Sequence, residues 1–271
     1  MTLAGKTLFI TGASRGIGRE IALRAARDGA NVVIAAKSAE PHPKLAGTIY
    51  SVAEEVEAAG GRALALRLDV RDEASVAAAM EQAAGHFGGI DVLINNAGAI
   101  RLKGVEAIEI NRFDLIHEVN TRAVLVCSKA ALPYLKNSSS GHILNLSPPL
   151  NLALKWFAPH APYTVSKYGM SMLTLGMSEE FQPYGICVNS LWPTTLIATA
   201  AVEFEVGGKD LFDAARTPAI MADAAHAILT SRENGQLLTD EQVLLAQGTQ
   251  DFTHYRASAG EAALMNDLFI D

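Results

Sequence analysis

Near the N-terminus, a short apolar strand pattern at residues 7–10 runs directly into a glycine-rich turn at residues 11–18 and then a helical pattern at residues 19–28, which Gly29 ends. Few folds accommodate this order. Glycine lets the backbone approach a ligand closely, and a helix N-terminus offers free N–H groups to a phosphate. The unit therefore predicts a phosphate site at the turn. Its Gly-x3-Gly-x-Gly spacing departs from the usual dinucleotide fingerprint, so an ordinary glycine-rich loop is the alternative.

Short apolar segments and helical patterns alternate along the rest of the chain. We predict strands at residues 32–36, 63–68, 92–95, 142–146, 186–192 and 236–240, and helices at residues 52–59, 74–86, 113–135, 163–181 and 218–230. This alternation predicts an α/β fold, a single Rossmann-type doubly wound parallel sheet with helices on both faces. No internal repeat or linker interrupts the chain, so we expect one domain over residues 1–271.

The composition argues against several classes of protein. The chain carries a net charge of -7 without a basic block, which argues against a nucleic-acid partner and favours a small-molecule ligand. Cys127 and Cys187 lie in apolar stretches, so we expect buried free thiols in a reducing compartment. The histidines lack metal-ligand spacing, so no metal is expected. No apolar run reaches the length of a signal peptide core or a membrane span, which predicts a cytoplasmic protein.

The residues after the second strand bear on the choice of nucleotide. Enzymes that use NAD place an Asp or Glu there, which accepts the ribose 2′-hydroxyl. Here Lys37 follows Ala36, and no carboxylate appears before Glu40. Lys37 and Arg15 instead offer positive charge where a 2′-phosphate would lie, which predicts NADP. The alternative is that Lys37 is a solvated loop lysine.

Tyr163 and Lys167 lie four residues apart, so a helix places both on one face. An ammonium about 4 Å from a phenol contributes roughly 4 kcal/mol to the phenolate at an effective dielectric constant of about 20. A tyrosine whose pKa is lowered in this way can transfer protons near neutral pH. The alternative interpretation is two residues on a solvated helix face.

An apolar loop at residues 150–162 precedes this helix. It contains Leu152, Trp156 and Phe157, and Trp192 ends the sixth predicted strand. We expect these four side chains to wall a pocket for an apolar substrate at the carboxyl edge of the sheet. The alternative is a loop that packs on its own core or on a partner subunit.

Several motifs stand together in one order: residues 11–18, residues 95–98, Asn120, Tyr163 with Lys167, and Pro193. This set resembles the short-chain dehydrogenase/reductase family over about residues 5–240. Residues 36–44, 147–152 and 156–157 are similar to the hydroxysteroid dehydrogenase-like subgroup in particular. Animal members of that subgroup carry an added sterol-carrier domain, which we do not expect here.

The resemblance implies an NADP-dependent oxidoreductase that acts on a CH–OH group. Hydride would pass between NADP(H) and an alcohol or carbonyl on a terpenoid, steroid-like or medium- to long-chain substrate. Tyr163 would be the acid/base, Lys167 would lower its pKa and hold the nicotinamide ribose, and Asn120 would hold a water that relays protons. The expected cofactor-binding residues are Gly12, Ser14, Arg15, Gly16, Ile17, Gly18, Lys37, Asp69, Val70, Asn96, Ala97, Gly98, Lys167, Pro193 and Thr195. The family commonly forms homodimers or homotetramers, and the apolar helices around Asn120 and after Tyr163 favour such an assembly.

Two positions depart from the family pattern. Pro193 is followed by Thr194 where the family usually has glycine. The fifth strand often ends in Ser-Ser with the second serine catalytic, but here that register falls on Pro148, so Ser147 is a catalytic candidate only if the loop bends. The alternative function is therefore a nucleotide-binding sensor or scaffold with little turnover. A nucleotide-sugar epimerase or dehydratase would need a larger substrate domain after the sixth strand.

Overall fold

The computed structural model describes residues 2–260 and 262–271. Its seven strands form one sheet in the order β3-β2-β1-β4-β5-β6-β7, and every pair of neighbours is parallel. The strands are β1 Thr7–Thr11, β2 Asn31–Ala36, β3 Arg62–Arg67, β4 Val92–Asn95, β5 His142–Asn145, β6 Cys187–Trp192 and β7 Leu237–Thr239. This topology confirms the predicted fold class.

Eight α-helices connect or follow the strands in the described part of the chain. They are α1 Gly16–Arg27, α2 Ile49–Ala58, α3 Glu73–Phe87, α4 Ile110–His117, α5 Ala123–Leu135, α6 Ala161–Glu180, α7 Ala219–Leu229 and α8 Asp240–Ala246. Within residues 2–260 and 262–271, none of the helices has the length and apolarity needed to cross a membrane.

Two apolar cores flank the sheet because its central strands are buried on both faces. One core packs α1, α2 and α7 against the side chains of Leu8 and Ile10 on β1. The other packs α3, α5 and α6 against Phe9 of the same strand. Cys127 and Cys187 are buried free thiols, as predicted. The strand order reverses between β1 and β4, and such a switch point opens a crevice at the carboxyl ends of the strands.

Two segments differ from the sequence prediction. The helix predicted at residues 113–135 is divided by a π-helical turn, Glu118–Arg122, between α4 and α5. The C-terminal residues, which lie beyond the last predicted strand, fold back to the carboxyl edge of the sheet and form hydrogen bonds with the segment after β6. Both differences lie beside the crevice.

Candidate active site

A cleft of about 610 Å³ opens at the switch point. Arg15, Lys37 and Asp69 line one end of it, and Tyr163 and Lys167 line the other. The predicted site residues in its wall are Gly12, Ser14, Arg15, Gly16, Ile17, Lys37, Asp69, Val70, Asn96, Ala97, Gly98, Asn120, Tyr163, Lys167 and Pro193. The fold thus gathers most of the predicted set into one cleft.

The glycine turn is locked against the end of β4. The Asn96 side chain donates hydrogen bonds to the Thr11 and Gly12 carbonyl oxygens at 2.9 and 3.1 Å. Gly12 has a φ of 68°, and a Cβ there would lie 2.9 Å from the Ala97 Cα, so only glycine fits. Gly18 does not line the cleft. It lets α1 pack on Asn96, whose amide nitrogen a Cβ at Gly18 would overlap.

Arg15 belongs to the glycine turn, and its side chain reaches the loop after β2. Its guanidinium donates to the Ala46 and Gly47 carbonyl oxygens at 3.1 and 2.8 Å and to the Ser38 hydroxyl at 3.1 Å. Within the described residues it forms no ion pair, so its positive charge is not neutralised by a carboxylate. The loop between β2 and α2 therefore holds the Arg15 guanidinium at the cleft.

Lys37 and Asp69 lie beside Arg15 at the same end. The Lys37 ammonium is 3.3 Å from an Asp69 carboxylate oxygen, and the Arg71 guanidinium is 2.7 Å from that oxygen. The Arg71 hydrogen bonds hold the pKa of Asp69 well below its usual range. Lys37 and Arg71 thus share one carboxylate, and Arg15 adds a third positive charge without a carboxylate of its own, which makes this end of the cleft attractive to a phosphate.

Lys167 is buried and donates a hydrogen bond of 2.6 Å from Nζ to the Leu146 carbonyl oxygen, just past β5. Burial lowers its pKa to about 7. Tyr163 is also buried, and burial, with a smaller effect of Asp267, raises its pKa. In the protein chain by itself, burial thus disfavours the charge on both side chains, and the lowering of the Tyr163 pKa expected from Lys167 stays a prediction.

Asn120 occupies the π-helical turn, an element often found at functional sites. Its side-chain oxygen accepts from the Ala99 N–H at 2.9 Å. Its nitrogen donates to the Ala99 carbonyl oxygen and the Ser166 hydroxyl, both at 3.0 Å. The amide thus ties the segment after β4 to α6, and its role toward a water stays a prediction.

Ser147 and Thr195 are buried outside the cleft wall. The Ser147 N–H donates to the Asn145 carbonyl oxygen at 3.0 Å, and its hydroxyl oxygen lacks a hydrogen-bond partner among the described residues. Leu146 faces the cleft instead. The loop after β5 therefore does not bring Ser147 to the position of a catalytic hydroxyl, and Pro148 next to it has no side-chain donor.

The expected apolar pocket of four side chains does not form as predicted. Leu152 is 73% exposed. Trp156 and Phe157 pack instead with Tyr168 and Phe269, outside the cleft wall. Of the four, only Trp192 lines the cleft. The alternative, a loop that packs on its own core, describes most of this segment.

The C-terminal residues contribute to the cleft, and the sequence analysis missed them. Asn266, Asp267 and Leu268 lie in its wall at the Tyr163 end. The Trp192 indole N–H donates to the Leu268 carbonyl oxygen at 2.9 Å. A buried indole needs an acceptor, which was the available signal, but the sequence does not say which segment supplies it.

The cleft fits a nicotinamide dinucleotide. The glycine turn leaves room for a pyrophosphate beside the N-terminus of α1, and the cationic end is separate from the end that holds the tyrosine and lysine. Among residues 2–260 and 262–271, no group of three His, Cys, Asp or Glu side chains converges to hold a metal ion. At the second end, Tyr163 brings a phenol that could transfer a proton to or from a bound ligand.

Known proteins and solved structures are similar to this chain over nearly its whole length. The family profile described as short chain dehydrogenase covers residues 6–206. Hydroxysteroid dehydrogenase-like protein 2 of Xenopus tropicalis is 55% identical over 99% of this chain, which spans 64% of that protein. A solved structure from Xanthomonas campestris is 51% identical, covers 100% of both chains and superposes with a TM-score of 0.96. A 7 alpha-hydroxysteroid dehydrogenase, complexed with NADH and 7-oxo glycochenodeoxycholic acid, is 28% identical with a TM-score of 0.76 over 88% of this chain and 93% of its own.

Proposed function

Because this chain belongs to the short-chain dehydrogenase family and is similar to its hydroxysteroid dehydrogenase-like members, we propose that it is an NADP-dependent oxidoreductase. It transfers hydride between NADP(H) and an alcohol or carbonyl on an apolar substrate. The observation that carries the proposal is that Tyr163 and Lys167 share one cleft with the glycine turn and its cationic neighbours.

The preference for NADP is supported by the charges at the adenosine end. Arg15 and Lys37 line the cleft there, and β2, the strand before Lys37, ends in Ala36 without a carboxylate. Asp69 is bonded to Arg71 and Lys37, so its charge is compensated. A 2′-phosphate would gain charge-assisted hydrogen bonds at this position, whereas a 2′-hydroxyl would not need two cations.

Burial keeps the Tyr163 phenol protonated, so the role we propose for it is that of proton donor in carbonyl reduction. A nicotinamide held in this cleft would supply the hydride for the reduction. The Tyr163 phenol donates its proton to the carbonyl oxygen, and the Lys167 ammonium stabilises the phenolate left behind. Leu146 orients this ammonium through its carbonyl oxygen, and the buried setting excludes water.

The substrate end of the cleft supports an apolar substrate. Beside Tyr163 the wall is built mainly from apolar side chains: Ile100, Leu115, Val119, Trp192, Leu196 and Leu268. Such a wall suits a ring system or alkyl chain that carries a single reacting oxygen. The 7 alpha-hydroxysteroid dehydrogenase, a relative at 28% identity, is named for such a ring substrate.

The test measures NADPH oxidation with steroid, terpenoid and medium-chain ketones and aldehydes. It compares the wild-type protein with two variants, Tyr163→Phe and Ser147→Ala. Tyr163→Phe should lose at least about 10²-fold in kcat because it removes the proton donor. Ser147→Ala should stay within about threefold, since its hydroxyl is outside the cleft wall, whereas a catalytic hydroxyl would cost about 10²–10³-fold. Equal activity of wild type and Tyr163→Phe would overturn the proposed role. Tight NADP binding without turnover of any substrate would favour the sensor or scaffold instead.

A further inference from the structure

A C-terminal strap, residues 265–271, crosses the substrate end of the cleft. The Leu196 N–H donates to the Met265 carbonyl oxygen at 2.9 Å, and the Asp267 N–H donates to the Thr194 carbonyl oxygen at 3.0 Å. With the indole bond from Trp192, these contacts anchor the strap to the segment that leaves β6. The strap is therefore placed by long-range bonds to the cleft wall.

Phe269 is the buried residue of this strap. Its side chain is 1% exposed. Its ring centroid lies 5.1 Å from that of Tyr168, 5.9 Å from those of Trp156 and Trp192, and 6.4 Å from that of Tyr163. Its φ of 73° is in the left-handed region that side chains other than glycine seldom adopt. The aromatic contacts hold the backbone in this conformation.

Two of these neighbours contact both the cleft and Phe269. Tyr163 and Trp192 line the cleft on one side and pack against Phe269 on the other. The Phe269 ring thus fills apolar space directly behind the part of the wall that a substrate would touch. If the ring were absent, movement of either neighbour into its place would widen the cleft, and an apolar group of the ligand could occupy the gained space.

We infer that Phe269 is a specificity-determining residue that sets how bulky a ring system the substrate end accepts. The inference rests on the proposed function, because it concerns the substrate of the same cleft. A structural role alone predicts a different result. Loss of packing would then reduce stability and the use of every substrate together, without a change of preference.

The experiment compares Phe269→Ala and Phe269→Leu with Leu154→Ala, a control from the neighbouring loop whose residue is 81% exposed. For each protein, kcat/KM with NADPH is measured for a linear medium-chain ketone and for a steroid ketone. The steroid-to-linear ratio should rise at least about tenfold in Phe269→Ala, the scale expected when apolar space of a methylene or more changes. It should rise less in Phe269→Leu and stay unchanged in Leu154→Ala. An unchanged ratio in both Phe269 variants would overturn the inference.

A binding measurement separates failure of this inference from failure of the proposed function. If wild type and variants reduce neither ketone, the proposed function fails, but the dissociation constants of the two ketones still report pocket size. Trp156 and Trp192, the two tryptophans of the chain, both contact Phe269 and provide the fluorescence signal. The steroid should gain at least about tenfold in affinity relative to the linear ketone in Phe269→Ala, on the same scale as the change in kcat/KM. Should Phe269→Ala not fold, Phe269→Leu decides, with a rise above twofold expected and a constant ratio contradicting the inference.

Discussion

Charge at the substrate end of the cleft depends on three buried groups that compete. Burial lowers the Lys167 pKa to about 7, and the nearby Asp267 carboxylate acts in the opposite direction. The Asp267 pKa is raised to about 7, mainly by burial and to a smaller extent by Asp240, against the opposing effects of the Leu268 N–H and Lys167. Tyr163 is kept protonated by burial and by Asp267.

Asp267→Asn should change how stability depends on pH. The folded protein retains the Asp267 proton up to about pH 7, whereas an unfolded aspartate loses it near pH 4. Between these values the folded state binds more protons, so stability falls as pH rises. Lys167 acts between about pH 7 and 10.5, where the unfolded state binds more protons and stability rises with pH.

Melting temperatures of wild type and Asp267→Asn between pH 5 and 9 check this prediction. The variant should lack the Asp267 contribution to the fall from pH 5 to 7 and keep the contribution of Lys167 above pH 7. Asp210→Asn, at an exposed position, is the control and should follow the wild type. Parallel curves for wild type and Asp267→Asn would show that the Asp267 carboxyl does not titrate in this range.

The preference for NADP should depend on the charge of single residues such as Lys37. Lys37→Ala should weaken NADP binding about 10–100-fold and leave NAD binding nearly unchanged, because each charge-assisted contact to a phosphate contributes about 1.5–3 kcal/mol. Lys44→Ala removes an exposed lysine from the adjoining loop and serves as the control. The measurement is titration of both nucleotides by calorimetry. NAD binding as tight as NADP binding in the wild type would refute the preference.

At the scale of the elements, the cleft depends on close contacts that small residues permit. The π-helical turn brings the Thr121 hydroxyl to the Ser166 carbonyl oxygen of α6 at 2.7 Å. Gly169, one turn further, leaves room for the Thr121 side chain, which a Cβ there would meet at 2.7 Å. These contacts hold Asn120 beside Tyr163 and so couple the helix geometry to the site.

Two helical glycines should respond in opposite ways to the same substitution. Gly18→Ala places a methyl group on the Asn96 amide that locks the glycine turn, so we expect a loss of about 1–3 kcal/mol in the free energy of unfolding and weaker nucleotide binding. Gly85→Ala in α3 adds a methyl group to open space and should stabilise by about 0.4–1 kcal/mol. Urea denaturation measures both. Destabilisation of equal size at the two sites would contradict the packing argument.

At the scale of the whole molecule, one face of the described structure, formed by α5 and α6, exposes large apolar side chains to solvent. Leu125 on α5 is 50% exposed, and Val165 and Met172 on α6 are 52% and 58% exposed. Leu125 and Met172 line a groove beside these helices, together with charged side chains that include Lys129 and Glu180. Two glycines in its wall, Gly169 and Gly176, permit close approach of another helix. The two helices are the ones for which the sequence predicted pairing.

We expect a homodimer or homotetramer that buries this face. Met172→Glu should shift the assembly toward monomer at micromolar concentration, because a carboxylate would have to be buried in the apolar contact. Tyr50→Glu on α2, where the native side chain is 55% exposed, is the matched control and should leave the mass unchanged. Light scattering gives the mass. A monomeric wild type would overturn the prediction.

The sequence by itself determined the parallel α/β fold and most of the predicted residues that line the cleft. Period-2 and period-3.6 patterns report local burial, and parallel strands bring their carboxyl ends, with the turns at Gly12 and Asn96, to one edge. That Tyr163 and Lys167 join these turns in one site was implied by the resemblance to the family. The family assignment followed from the same ordered motifs and is confirmed. Local pattern was sufficient wherever a residue's position follows from its own strand or helix.

Only the tertiary structure decided what depends on contacts between distant segments. The sequence could not show that the strap meets β6, because Leu268 and Trp192 are 76 residues apart and the bond between them has no periodic signature. It could not show that Ser147 turns away from the cleft, since loop geometry follows from packing. Nor could it set the pKa of Tyr163, because an i, i+4 spacing shows that a lysine is near but not how deeply both side chains are buried, and burial is the main cause of the raised pKa.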